Sequence, residues 1–411
     1  VDRTLLRHAL KLIWNRRRAS RLVVIEIAAA FVITFMLTGT AINLVGNYRR
    51  PLGFDYENFL SVIVQRSDSV YSRAQVGMES YSDTIEAVLD ALRALPRTEV
   101  VEPMMTTPYE DGYRMTLNIL LNPRLNRTTT EALQAIGVEL VAGRWFGPED
   151  EGQPYRAALV NQAYSEEAFG SDTGAIGQRI DRPDPNPVVF LGAGPPQPLR
   201  EVRIVGVIED FRTGGEFSAT MPLMIERHEP GDESGFGEFS LMLKPAPGTD
   251  ANFAEQVVET VESIAPDWVT SVTSWEQRRT SSHRNTLLPV KAVATIAAFF
   301  IALVVMGLVG VLWQDVVRRT QEIGLRRALG AGAASVRRQI QLETLVIGAF
   351  GILIGSVIAI QFPLLQGDHL ATAVPALALS AVVILVLVLL GALYPSWLAS
   401  RREPADALRY E

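Results

Sequence analysis

Apolar residues gather along this chain into four windows, Leu22–Val45, Ala292–Trp313, Thr344–Leu365 and Leu370–Leu398. No charged residue occurs from Ala292 to Gln314, or from Thr344 to Gly367. A bilayer core of roughly 30 Å takes about 20 helical residues, so each window predicts a membrane span. Only the first holds a charge, Glu26, one turn from its basic flank. Ahead of it, Leu5, Leu6, Ala9, Leu10, Ile13 and Trp14 keep helical spacing among Arg3, Arg7, Lys11 and Arg16–Arg18. That pattern predicts an amphipathic helix lying on an anionic membrane surface.

Between the first two windows the periodicity changes. Phe59–Val64, Met115–Leu121, Ala157–Asn161, Val202–Ile208 and Phe239–Lys244 predict strands. Ile85, Val88, Leu89, Leu92 and Leu95 repeat at helix spacing up to Pro96, with Asp83 and Glu86 placed as a capping box. Phe253, Val257, Val261 and Ile264 form a second amphipathic helix before Pro266. The prolines of Asp181–Pro198 predict an exposed insertion outside any sheet interior, and Gly231–Gly237 an acidic loop. Ser274–Leu287 predicts a helix leading into the second span. The fold class expected is therefore an α-helical membrane protein of four spans with a large two-lobed α+β extracytoplasmic domain.

Charge orients it. Residues 46–287 carry a net charge of −15 and the remainder +8, within a total of −7. The basic residues lie before Leu22, in the 314–343 loop and after Leu398, whereas Gln366–His369 has no Lys or Arg. The positive-inside rule then places both termini and that loop in the cytoplasm. The predicted organisation is a cytoplasmic amphipathic helix at 1–21, the first span and stalk at 22–50, and the extracytoplasmic domain at 51–273. A stalk and second span follow at 274–313, the cytoplasmic loop at 314–343 and the third span at 344–365. A short external loop at 366–373, the fourth span at 374–396 and a cytoplasmic tail at 397–411 complete it. The first span reads as an uncleaved signal anchor.

Candidate chemistry is sparse. There is no cysteine, and the three lysines, Lys11, Lys244 and Lys291, fit no phosphate-binding G-x-x-x-x-G-K-[ST] loop. His8, His228, His283 and His369 show no paired spacing that would hold zinc. No G-x-S-x-G occurs, and the acid runs Glu149–Glu151, Glu166-Glu167 and Glu209-Asp210 read as solvated turns. No catalytic or metal site is expected. The spans instead carry small residues, Gly307 and Gly310 in the second and Gly348, Gly351 and Gly355 in the third. Such residues let helix backbones approach closely, at a seam within the chain or against a second copy.

Work must then enter from outside the chain, and the cytoplasmic loop offers the place. Glu322, Ile323, Gly324, Leu325, Arg326, Arg327, Ala328, Leu329 and Gly330 form a short amphipathic helix punctuated by glycine. Val316–Ala331, V-V-R-R-T-Q-E-I-G-L-R-R-A-L-G-A, resembles the loop between spans two and three of FtsX-like permeases. These are the macrolide-exporter and lipoprotein-releasing class of ABC transporters. Leu393–Glu411 is similar to the C-terminal signature of that family. Ala158–Gln162 and Val205–Phe211 resemble motifs of its periplasmic core domain. The resemblance implies a permease in a bacterial inner (plasma) membrane that works as a dimer, with a second copy or a paralogue. A separate ABC ATPase, holding ATP and Mg²⁺, would dock on Glu322–Gly330, with no cofactor on this chain itself. ATP-driven motion would pass through the stalks to the external domain and drive efflux. A periplasmic adaptor and membrane lipid are further partners it implies; nucleic acid is not one. In a second reading the same motion activates an external partner such as a cell-wall hydrolase, and in a third the external domain senses a ligand.

Overall fold

A computed structural model describes residues 17–66, 78–110, 124–183, 199–229, 238–250, 252–318, 325, 329, 332–365 and 370–401. The chain divides into two compact units, Val1–Gly46 with Leu287–Glu411, and Asn47–Thr286. The strand expected at Met115–Leu121, the Gly231–Gly237 loop, most of the first amphipathic helix and the end of the tail lie outside the described residues.

The first unit holds four helices long and apolar enough to cross a membrane. They belong to α1 (Arg17–Tyr48), α6 (Trp275–Arg318), α7 (Ala333–Ala359, continued by the short α8, Gln361–Leu365) and α9 (Leu370–Arg401). Their shared interior includes Ile27, Phe31 and Phe35 of α1, Leu308 and Leu312 of α6, and Ile384 and Val388 of α9. One polar pin crosses it, where the Thr38 and Ser380 hydroxyls lie 2.7 Å apart. Among the described residues, Oε2 of Glu26 on α1 is buried without a hydrogen bond.

The second unit is α+β. Strands β1 (Leu60–Arg66), β2 (Thr98–Pro103), β9 (Glu238–Pro245) and β10 (Trp268–Ser274) make an antiparallel sheet in the order β10-β1-β9-β2. Helices α2 (Met78–Ala94) and α5 (Phe253–Ile264) cover one face of it. Their apolar stripes, Ile85, Val88 and Leu92, and Phe253, Val257 and Val261, meet Val62, Val64 and Leu241 there. Asp83 is not a cap, because α2 begins at Met78; Met and Glu, both good helix formers, extend it upstream.

The other sheet has the order β3-β8-β5-β7-β4, with β6 also pairing β7. Its strands are β3 (Arg124–Thr128), β4 (Leu140–Gly143), β5 (Arg156–Asn161), β6 (Arg179–Pro183), β7 (Leu199–Ile208) and β8 (Leu223–Arg227). Every residue of β5 is buried: Ala157 and Leu159 face one core, Ala158 and Val160 the other. Asp181–Pro183, expected in an irregular insertion, pairs with Leu199–Glu201 of β7. Among the described residues β6 pairs with β7 alone, so the Pro183 nitrogen needs no ladder partner on its outer side. Helix α3 (Thr130–Ala135) follows β3, and α4 (Gln162–Phe169) follows β5. The second stalk and span are one helix, since α6 continues without a break through Pro289.

Candidate functional site

Of the expected coupling segment, Glu322, Ile323, Gly324, Arg326, Arg327, Ala328 and Gly330 lie outside the described residues. Leu325 and Leu329 stand one helical turn apart, the Leu329 N–H donating to the Leu325 carbonyl at 3.0 Å. Both are exposed, Leu329 by 79%.

The glycines of the spans differ from one another. A Cβ on Gly351 would lie 2.6 Å from Ile27 Cγ2, and one on Gly355 2.9 Å from Phe31 Cβ, so α7 approaches α1 at near backbone contact. Gly348 faces Val388 of α9, and Gly307 faces Glu26 of α1. Gly310 faces no other group of the described chain within 4 Å.

The external motifs meet. The Asn161 side chain, at the end of Ala158–Gln162, donates to Asp210 Oδ1 of Val205–Phe211 at 3.0 Å. Its Oδ1 caps α4 through the Tyr164 N–H and also accepts from Leu223 N–H, joining β5, α4 and β8. Of the acid runs read as solvated turns, Asp210 is thus a hydrogen-bonding hub, and Asp150 is buried on the Arg144 guanidinium.

Directly after that motif comes a dense polar site of the second unit. Arg212, 2% exposed, donates to the carbonyls of Asn47 (2.9 Å), Arg50 and Pro51 (2.9 Å), where α1 ends, and of Glu216 (3.1 Å) and Ser218 (3.2 Å). The last carbonyls of a helix have no partners within it; that of Asn47 takes the guanidinium together with the Arg50 N–H. Glu216 turns the other way. Its carboxylate accepts from Arg279 Nε and lies 2.8 Å from His283 Nε2, both on α6. Phe217 lies between the two helices, stacked on Tyr48 (5.6 Å) and edge-on to His283 (5.0 Å).

Burial opposes ionisation of Glu216, but the Arg279 and His283 hydrogen bonds outweigh it and hold the carboxyl below its ordinary range. Burial lowers Arg212, with Glu216 opposing; for Arg279 burial is outweighed by the Glu216 hydrogen bond, which raises it. Arg279 also lies 4.6 Å over the Tyr56 ring. Tyr109 supports the loop from the side: its N–H donates to the Thr213 carbonyl, and its ring covers Gly215. A Cβ on Gly215 would fall 2.6 Å from Tyr109 Cε1, and its φ is +85°, so both space and backbone ask for glycine.

The first turn of α6 is anchored as firmly. Trp275 is fully buried, stacked on Phe59 at 4.8 Å, with Nε1–H donating to Ser61 Oγ at 2.9 Å. Ser61 in turn donates to Thr107 Oγ1, which also accepts from Arg278. None of Arg212, Glu216, Arg279 and His283 stood out in the sequence as a site. The one local signal was spacing: each pair is four residues apart, and Arg212 follows the Val205–Phe211 motif.

Residues 23–263 match the family profile described as MacB-like periplasmic core domain, and residues 294–404 that described as FtsX-like permease C-terminal. A macrolide export ATP-binding/permease protein of Hahella chejuensis is 26% identical over 343 residues, 80% of this chain and 49% of that protein. A probable syringafactin export ATP-binding/permease protein of Pseudomonas syringae pv. tomato is 24% identical, covering 82% of this chain and 50% of that one. The chain spans about half the length of the curated relatives it matches. Among solved structures, the periplasmic region of MacB from Actinobacillus actinomycetemcomitans covers 56% of this chain and 94% of its own, at 12% identity and a TM-score of 0.33.

Proposed function

Because this chain belongs to the FtsX-like permeases with a MacB-like periplasmic core domain, we propose that it carries ATP-driven motion across the membrane to its outer domain and so drives efflux. It is a membrane protein of the ABC permease family; the direction of work and its source are the proposal. The observation that carries it is α6. A helix of 44 residues is about 66 Å long at about 1.5 Å per residue, more than twice the roughly 30 Å of a bilayer core. One end is fixed in the external domain by the fully buried Trp275, and the other runs to Arg318 at the basic loop. We assign this one helix as the path by which a displacement at the loop end is handed to the external domain.

On this reading an ABC ATPase, binding ATP and Mg²⁺, docks on the Glu322–Gly330 segment. The exposed Leu325 and Leu329 supply its apolar contact, and Arg326 and Arg327 its charges. The charge distribution supports an inner (plasma) membrane orientation with both termini and this loop cytoplasmic. Work is delivered to a dimer of permease subunits, and the cargo is taken up on the outer side with a periplasmic adaptor.

The test is capture of the ATPase. Tagged full chain purified from native membranes is expected to bring with it a protein that hydrolyses ATP. Replacing Arg326 and Arg327 together by Glu is expected to remove that activity from the purified material while membrane insertion is kept. Equal ATP hydrolysis with wild type and the double variant would sink the docking assignment.

A further inference from the structure

We propose that Arg212 and Glu216 form a clasp that locks the end of the first membrane-connecting helix and the start of the second into a single mechanical body. This rests on the transmission reading above and names the residues through which it runs.

The two side chains face opposite ways from one short loop. Arg212 holds only main-chain oxygens, three of them from Asn47, Arg50 and Pro51. Its own N–H donates to the Leu52 carbonyl, and Asn47 Nδ2 returns a bond to the Phe217 carbonyl at 3.0 Å. The exit of α1 is therefore bonded to the loop from both sides. Glu216 holds Arg279 and His283, four residues apart and so on one face of α6. Phe217 fills the space between the helices, in ring contact with each.

Charge makes the clasp depend on Glu216. Arg212, Arg279 and, when protonated, His283 are cations, and Glu216 is the carboxylate they share as neighbours. Neutralising it removes the charge and leaves Arg279 and His283 one acceptor oxygen where they had two. None of the four clasp residues belongs to the apolar clusters on which the two sheets rest. Their replacement therefore loosens the joint before it unfolds the domain.

The loop also joins both sheets to the helices. It follows β7 of the six-stranded sheet, whereas α6 begins directly after β10 of the four-stranded sheet. With the clasp closed, relative movement of the α1 and α6 ends is not absorbed by the 49–53 and 211–218 connections. It passes to both sheets together.

The chain has no cysteine, so two introduced cysteines report on the joint without interference. We would place nitroxides at Arg49→Cys and Arg284→Cys, both exposed, in the full chain reconstituted in lipid nanodiscs, and measure their distance distribution. The parent is expected to give one narrow distance. Glu216→Gln and, separately, Arg212→Met are expected to at least double its width, and His283→Ala to widen it less. Arg144→Met, which removes a different ion pair, is expected to leave it unchanged. Distributions as narrow as the parent's in folded Glu216→Gln and Arg212→Met overturn the clasp. Should either of those fail to fold, the partly exposed His283→Ala decides, and an unchanged width there overturns it as well. No ATPase enters this measurement, so the clasp can fail while ATPase capture succeeds, and the reverse.

Discussion

Helices are held in two places in this protein, and the two are built from opposite materials. In the first unit α7 meets α1 through Gly351 and Gly355, where absent side chains bring backbone to side chain. In the second unit α1 and α6 are held by a guanidinium on carbonyls, a carboxylate between an arginine and a histidine, and three aromatic rings. The solvent explains the difference. Lipid tails give apolar helices no hydrophobic reason to associate, so close packing must supply the attraction. In water, a buried cation or carboxylate stays only if its desolvation is offset by hydrogen bonds on nearly every side. Arg212, with five carbonyl acceptors, meets that condition.

If that contrast is right, the joint is the more fragile of the two. Arg212→Met takes a donor from the Asn47, Arg50 and Pro51 carbonyls, of which Asn47 keeps the Arg50 N–H, and leaves Glu216 with one cation fewer nearby. Leaving buried acceptors unsatisfied costs up to about 3 kcal/mol, and that loss is expected in denaturant unfolding of the external domain. A change below about 1 kcal/mol would mean that water replaces the guanidinium without penalty. The seam comes next. Gly351→Leu drives a side chain into Ile27 and toward the Val24 carbonyl, 3.2 Å from where its Cβ would sit. Overpacking of this kind costs about 2 kcal/mol, measurable as loss of thermal stability of the full chain in detergent.

These two sites were not equally legible in the sequence. Gly351 and Gly355 stand out in the sequence because membrane helices show their small residues against an apolar background. The clasp could not, because Arg212 and Asn47 are 165 residues apart and Glu216 and His283 are 67 apart. Nothing local marks a residue whose partners arrive only with the tertiary fold. The same limit hid β3 and β8. Each brings a charge into the interior, Arg127 and Glu226, and alone each reads as polar. They are compatible with burial because they pair across the two strands at 3.0 Å. Where apolar periodicity alone decides, as in α2, α5 and the four spans, the pattern and the structure agree. The expected N-cap at Asp83 failed because a capping signature does not stop good helix formers from continuing upstream.

A smaller effect separates the two regions by pH. The Glu216 carboxyl is held below its ordinary value, so its pairing contributes stability that is complete above the unfolded value of 4.5 and is lost as pH falls through the lower folded value. Asp150, lowered by Arg144, adds to the same acid limb. Glu216→Gln is therefore expected to flatten part of the decline in external-domain stability below pH 4.5, and Asp150→Asn another part. An acid limb of the same slope in Glu216→Gln and wild type would remove Glu216 from this account.

The smallest effect sharpens the seam itself. Gly310 lies on the same helix as Gly307, but a Cβ there meets nothing within 4 Å among the described residues. If the chain alone determines packing, Gly310→Ala removes only the backbone freedom of glycine. It should then leave stability unchanged or raise it by up to about 1 kcal/mol, the ordinary difference in helix propensity. Gly351→Ala is expected to destabilise, because even one methyl group falls 2.6 Å from Ile27 Cγ2. The informative reversal is concentration dependence. Should Gly310→Ala weaken thermal stability more at low protein concentration than at high, the missing neighbour of Gly310 is another chain. The second span would then carry a seam of the same material as the third, turned outward to a second copy.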